Sequence, residues 1–193
     1  MELKSLILVS ALLFLGSCRL IVGISNPKIE SKSKLDKYLI KIGVDTNDNY
    51  VFYKPAYDSI KQLPYKPNWP VGFRPFLHFK AFDSSGTLIS QYASCEGSYK
   101  KLKIFESYPP RNNWPFDSTQ TFVTDIKMYR NYDGSEISLN AENGDLNFIV
   151  YWGKWMGRYE KKFLHVLTNY KNEHPEHNIN IYKVNVGEYY VYE

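Results

Sequence analysis

A nearly continuous apolar run at 146–152 (LNFIVYW), interrupted by Asn147 alone, constrains this chain more than any other feature. A run that continuous reads as a strand buried on both faces. After Gly153, the residues Tyr159, Phe163, Val166, Leu167 and Tyr170 recur at i, i+4, i+7, i+8 and i+11. That spacing predicts an amphipathic helix, and Pro175 stops it. A second buried strand follows at 179–186 (INIYKVNV). Strand, helix and strand of these lengths form a βαβ unit, so the two strands are expected to run parallel. Such a sheet needs cover on both faces, and the upstream chain has to supply it. The whole sequence has 193 residues, enough for one domain and a small appendage.

Upstream, aromatic residues make up 17% of the chain, which favours a sheet-containing fold. Residues 35–44 are apolar but mixed in period, and fit helix or strand. A short strand is expected at 50–53. Prolines 55, 64, 67, 70 and 75 make the next stretch mainly loop, with a helical turn at 57–63. Residues 76–82 (FLHFKAF) alternate, Asp83-Ser84-Ser85-Gly86 has turn chemistry, and 87–92 (TLISQY) reads as the return strand of a hairpin. A short helix is expected at 98–105 and a proline-rich connector at 107–116. Further strands are expected at 122–129 (FVTDIKMY) and 136–139, with turns at 131–134 and 143–145.

The N-terminus is an address. Residues 1–18 read MELKSLILVSALLFLGSC: a lysine, an apolar centre, then small residues. That is the layout of a secretory signal peptide. By themselves the residues also fit a short uncleaved anchor. The ending Leu15-Gly16-Ser17-Cys18 resembles the lipobox of bacterial lipoproteins. The resemblance implies that residues 1–17 are removed and that Cys18 carries acyl chains such as palmitate. Several acyl chains hold a soluble domain at a bilayer where one is marginal. The polar stretch up to residue 35 then serves as a tether, and 36–193 as a single domain. Cys95 becomes the one free thiol. No apolar run reaches the roughly 20 residues that a membrane-spanning helix needs.

Composition removes several function classes. Two cysteines exclude a disulfide-dense scaffold and a Cys-rich zinc site. The net charge of +4, from 24 basic and 20 acidic residues, is small and scattered, which argues against nucleic acid. His174-Pro175-Glu176-His177 lies on a polar connector with no further ligand nearby in sequence, so no metal or other cofactor is expected. His78 and His165 read as structural or surface residues.

The point where the buried strand meets the helix reads Tyr151-Trp152-Gly153-Lys154-Trp155-Met156-Gly157-Arg158-Tyr159. It resembles the active-site junction of the thioredoxin superfamily, where an apolar strand ends in Trp-Cys-Gly-Pro-Cys. The segment 132–139 (YDGSEISL) resembles the hairpin preceding that strand in the family's thiol oxidoreductase and peroxidase-like branch. The resemblance covers about residues 122–188. It implies an α/β thioredoxin-like fold, a mixed sheet with flanking helices. The family's next parts are a cis-proline loop, a β-hairpin and a final helix. Here Gly72-Phe73-Arg74-Pro75 and the segments at 76–92 and 98–105 are similar to those parts. Either the domain is permuted and Pro75 faces Met156, or an unrelated hairpin packs beside half a fold.

The family's chemistry needs a thiolate at the helix start and a second thiol to resolve the mixed disulfide. Met156 and Tyr159 stand at those positions. A thioether has no proton to lose, and a phenol is a poor substitute. Dithiol catalysis is therefore not expected. Trp155, Met156, Gly157, Arg158 and Tyr159, with Pro75, are instead candidates for holding a protein or peptide. The expected function is that of a redox-inactive envelope lipoprotein, facing the periplasm or the outside. Two alternatives remain: a single-cysteine enzyme using Cys95 in Ser94-Cys95-Glu96-Gly97, and a structural lipoprotein without a ligand.

Overall fold

The structure is a computed structural model describing residues 25, 28, 30–61, 78–93, 103–111 and 119–187. Its centre is the expected βαβ unit. Strand β5 (Leu146–Trp152) pairs in parallel with β6 (Ile179–Asn185), and helix α4 (Arg158–Glu173) connects them. All seven residues of β5 are buried. Leu146, Phe148, Val150 and Trp152 pack on one face, and Ile149 and Tyr151 on the other. The nearly continuous apolar run is thus the period-two strand pattern with both faces covered.

The hairpin lies on the open side of β5. Strand β2 (His78–Asp83) runs antiparallel to β5, with His78 opposite Tyr151 and Asp83 opposite Leu146. Strand β3 (Leu88–Ala93) returns beside β2. The turn is set by side-chain chemistry: Asp83 Oδ1 accepts the N–H groups of Ser85 and Thr87, each at 3.0 Å. Gly86 takes φ +81°, which glycine adopts without steric cost. On the other side of β6 lies β1 (Asn49–Phe52), parallel to it, and then β4 (Tyr129–Arg130), antiparallel to β1. The six-stranded mixed sheet has the order β3-β2-β5-β6-β1-β4.

One face is covered by α4 and by α1 (Lys32–Lys41), through Phe163, Leu164, Leu167, Tyr170, Leu35 and Leu39. A 3-10 turn, Lys103–Glu106, adds Phe105, whose ring lies 5.3 Å from Phe79 and 5.1 Å from Tyr170. Such ring pairs contribute about 0.5–1.5 kcal/mol beyond their buried area. The Tyr170 hydroxyl also donates to the Ser107 carbonyl at 3.0 Å. Tyr170→Phe is expected to lower the unfolding free energy by about 1 kcal/mol, the net worth of one such bond, in a denaturant titration.

The opposite face is covered by α3 (Phe122–Ile126) and the chain after it. Here the structure corrects the expected strand at 122–129. The Thr121 hydroxyl accepts the Thr124 N–H at 3.3 Å, and Thr124 Oγ1 accepts the Thr121 N–H at 3.1 Å. That reciprocal cap satisfies two donors and commits the segment to a helix despite its alternating pattern. The sheet gains only Tyr129–Arg130 from this stretch. The strand expected at 136–139 is also absent. A single bridge joins Glu136 to Arg130, while Ile137 and Leu139 pack against the second face.

Residues 32–41 resolve the ambiguity of the 35–44 segment as helix. The last four residues assigned to the tether, 32–35, form the first turn of α1, and Leu35 is in the core. Pro55 sits in the first turn of α2 (Lys54–Lys61), where a missing N–H is tolerated. Most of the helix expected at 98–105 lies outside the described residues. Among the described residues, no helix is long and apolar enough to cross a membrane.

Candidate functional site at the strand ends

Strand β5 ends at Trp152, and the chain turns through Gly153 into a 3-10 turn, Lys154–Met156. Gly157 then takes φ +60° and starts α4. The positive φ strains any residue with a Cβ, so glycine suits this step. The junction divides its residues between core and surface. Trp152 and Met156 belong to the core, Trp155 and Tyr159 are half-buried against it, and Arg158 is exposed. The Met156 thioether therefore packs under the junction.

A pocket of about 340 Å³ opens at the carboxyl ends of β5 and β6. Its walls include Trp155 and Gly157 from the junction, Leu35 and Tyr38 from α1, Asn185 from the end of β6, and Lys28. Ligands bind outside the carboxyl ends of parallel strands in open α/β sheets, where loops and helix starts converge. The N-terminal chain crosses close by. The Ser25 N–H donates to the Trp155 carbonyl at 2.9 Å, and Lys154 Nζ lies 3.0 Å from Glu30 Oε1.

A buried acid lies at the junction. Glu160, in the first turn of α4, has no exposed surface. Its Oε2 accepts the Gly153 N–H at 3.1 Å, and its Oε1 has no hydrogen-bond partner. Burial pushes the carboxyl up to about 8, against the smaller opposing effect of the Gly153 N–H. The acid is thus protonated at neutral pH. Tyr38 lies nearby, stacked on Trp152 at 6.2 Å with its hydroxyl 3.4 Å from the Gly157 carbonyl. Burial, and then Glu160, push that phenol up to about 12.

A second polar cluster lies on the other face. Lys80 Nζ, from the middle of β2, lies 2.7 and 3.0 Å from the two oxygens of Asp125 in α3. The Tyr129 and Tyr151 hydroxyls lie 3.1 and 3.3 Å from Asp125 Oδ2 and within hydrogen-bond distance of one another, so their two protons serve two of these three contacts. Burial, then Asp125, hold both phenols well above their usual range. Every member is buried, so this cluster ties α3 to the sheet.

Of the residues read from sequence as a site, Trp155, Met156, Gly157, Arg158 and Tyr159 come together at the junction. Pro75, Cys95 and Cys18 lie outside the described residues, so the approach of Pro75 to Met156 and the cysteine-enzyme alternative do too. The cis peptide bond among the described residues is Tyr108–Pro109. No group of three or more His, Cys, Asp or Glu among them is arranged to hold a metal. His177 instead stacks on Tyr108 at 3.7 Å with the rings parallel.

Sequence reasoning missed Glu160, Tyr38 and Asn185. A signal for Glu160 was present, because it lies three, four and seven residues before Phe163, Leu164 and Leu167 on the apolar stripe of α4. Nothing local marks Tyr38, which meets Gly157 across 119 residues of sequence. Comparison of the chain with protein-family models, with curated proteins and with solved structures gives no match.

Proposed function

We propose that this chain is a redox-inactive, thioredoxin-like binding domain in permuted order, carried on an acylated Cys18 in the bacterial envelope, and that its junction holds a peptide. The observation that carries this reading is the position of the hairpin. The resemblance implies a β-hairpin beside the junction strand, and β2 and β3 lie there, antiparallel and on the side of β5 away from β6. They come before β5 in sequence, as permutation requires. The turn holding Phe105 packs on the same face as α4, where the family's final helix is expected. The order β5-β6-β1, all parallel, extends the sheet on the far side.

The case against dithiol catalysis is chemical. The side chain at the nucleophilic position is a thioether, and it is buried. What persists is a pocket bounded by main-chain groups at a helix start, which suits the capture of an extended chain or its end.

A photo-crosslinking residue at Tyr159 tests this in cells producing the full chain. Capture of a defined protein or peptide from that position, and none from Val123, which is exposed on α3, is expected. Equal capture from both positions, or none from either, overturns the reading.

A further inference from the structure

We propose that the N-terminal chain docks across the carboxyl ends of β5 and β6 as a strap, and that this docking turns the junction toward the bilayer. The orientation rests on the acylated Cys18 of the proposed function and adds where the junction sits. Three contacts hold the strap. The Ser25 N–H donates to the Trp155 carbonyl at 2.9 Å, main chain to main chain. Glu30 Oε1 lies 3.0 Å from Lys154 Nζ, and the Glu30 side chain is 17% exposed. The Lys28 carbonyl approaches Gly187 so closely that a Cβ there would lie 3.2 Å from it. Trp155 and Lys154 follow β5, and Gly187 follows β6, so the strap meets the chain beyond both strand ends.

Reach decides the orientation. From Cys18 to Ser25 is seven residues, which span at most about 25 Å in any conformation. Acyl chains on Cys18 hold that residue at the bilayer surface, so Ser25 stays within this height of it. A domain turned over, with the far end of the sheet toward the bilayer, needs Ser25 above the whole of α4. The sixteen residues of that helix measure about 24 Å, and the turn at 174–178 lies beyond its end. The leash is too short for that. An undocked strap removes the limit, because the thirteen residues from Cys18 to Ser31, the N-cap of α1, reach about 45 Å.

The charge of this end does not oppose the approach. Lys28 and Lys41 are exposed beside the pocket, and the pocket's carboxylate, Glu30, is paired with Lys154. The orientation also narrows the ligand of the junction. A peptide held there lies close to the bilayer, which selects chains presented at the membrane surface over those free in the surrounding space.

The purified, acylated full chain in vesicles of phosphatidylethanolamine and phosphatidylglycerol tests this. The chain is expected to float with the vesicles, and Cys18→Ala is not. Failure of either overturns the anchor and the orientation together. A donor fluorophore is then placed at Arg158→Cys or Glu173→Cys, each with Cys95→Ser. Both positions are exposed and mark the two ends of α4. Energy transfer to a headgroup-bound acceptor reads the height of each label above the bilayer. The label at Arg158 is expected to lie at least about 10 Å closer than the label at Glu173, roughly half the helix length between them. Ser25→Pro removes the donated N–H, and Lys154→Ala removes the ion pair; together they are expected to abolish most of that difference. With flotation as expected, equal heights, or Glu173 the nearer, overturn the orientation and leave the anchor standing. A difference that survives the undocking substitutions overturns the strap as its cause.

Discussion

Asp125→Ala is expected to lower the unfolding free energy by about 3–5 kcal/mol, the usual cost of removing one partner from a buried ion pair. The carboxylate lies 2.7 Å from Lys80 Nζ and also accepts from the hydroxyl pair of Tyr129 and Tyr151. Taking it away leaves an ammonium inside the protein with no compensating charge, on a lysine that is 6% exposed. The desolvation cost of that ammonium dominates, because the pair's Coulomb energy was largely offset by burying both ions in the first place. The two tyrosines are less affected, since their hydroxyls also bond to one another.

This ordering gives a sharper test than one variant. Lys80→Met combined with Asp125→Leu removes both charges and fills the space with apolar atoms. It is expected to recover most of the loss, leaving a deficit of about 1–2 kcal/mol for the tyrosine hydroxyl that loses its acceptor. Denaturant titrations of the parent, the single variant and the double variant decide it. A single variant within 1 kcal/mol of the parent, or a double variant no better than the single, rules out a coupled buried pair.

The same cluster marks a boundary between what the sequence tells a reader and what it does not. Strand β5 is legible because a run with six apolar residues in seven fits few other states. Helix α4 is legible because its stripe persists for three turns. The β2–β3 hairpin is legible because Asp83 and Gly86 act locally. Segment 122–129 misleads because its alternation satisfies the strand pattern, while the deciding interaction is a pair of threonines, one just before it and one inside it. Strands β1 and β4 are short, and β4 has only two residues, so pairing rather than pattern makes them strands. The pocket is least legible of all. Its walls come from α1, the junction and the end of β6, and only the junction carried a recognisable motif.

Glu160 offers a large pH effect. In the unfolded chain its carboxyl titrates near the ordinary 4.5; in the folded protein burial holds it near 8. Below about pH 4 both states carry the proton, and the buried neutral acid is tolerated. Between those values the unfolded chain releases the proton and the folded protein keeps it. Stability therefore falls as pH rises, by about 1.4 kcal/mol for each unit of the window, and levels off above pH 8 when both states are ionised. The total is several kcal/mol, a large part of the stability of a domain this size. Glu160→Gln removes the titration while keeping an oxygen for the Gly153 N–H. The variant is expected to match the parent near pH 4 and to exceed it by several kcal/mol at pH 8. The difference between the two stability curves isolates Glu160 from every other titrating group. Curves that run parallel from pH 4 to 9 rule out a buried, protonated Glu160. A difference that opens with pH means that the junction stands on a neutral acid at physiological pH.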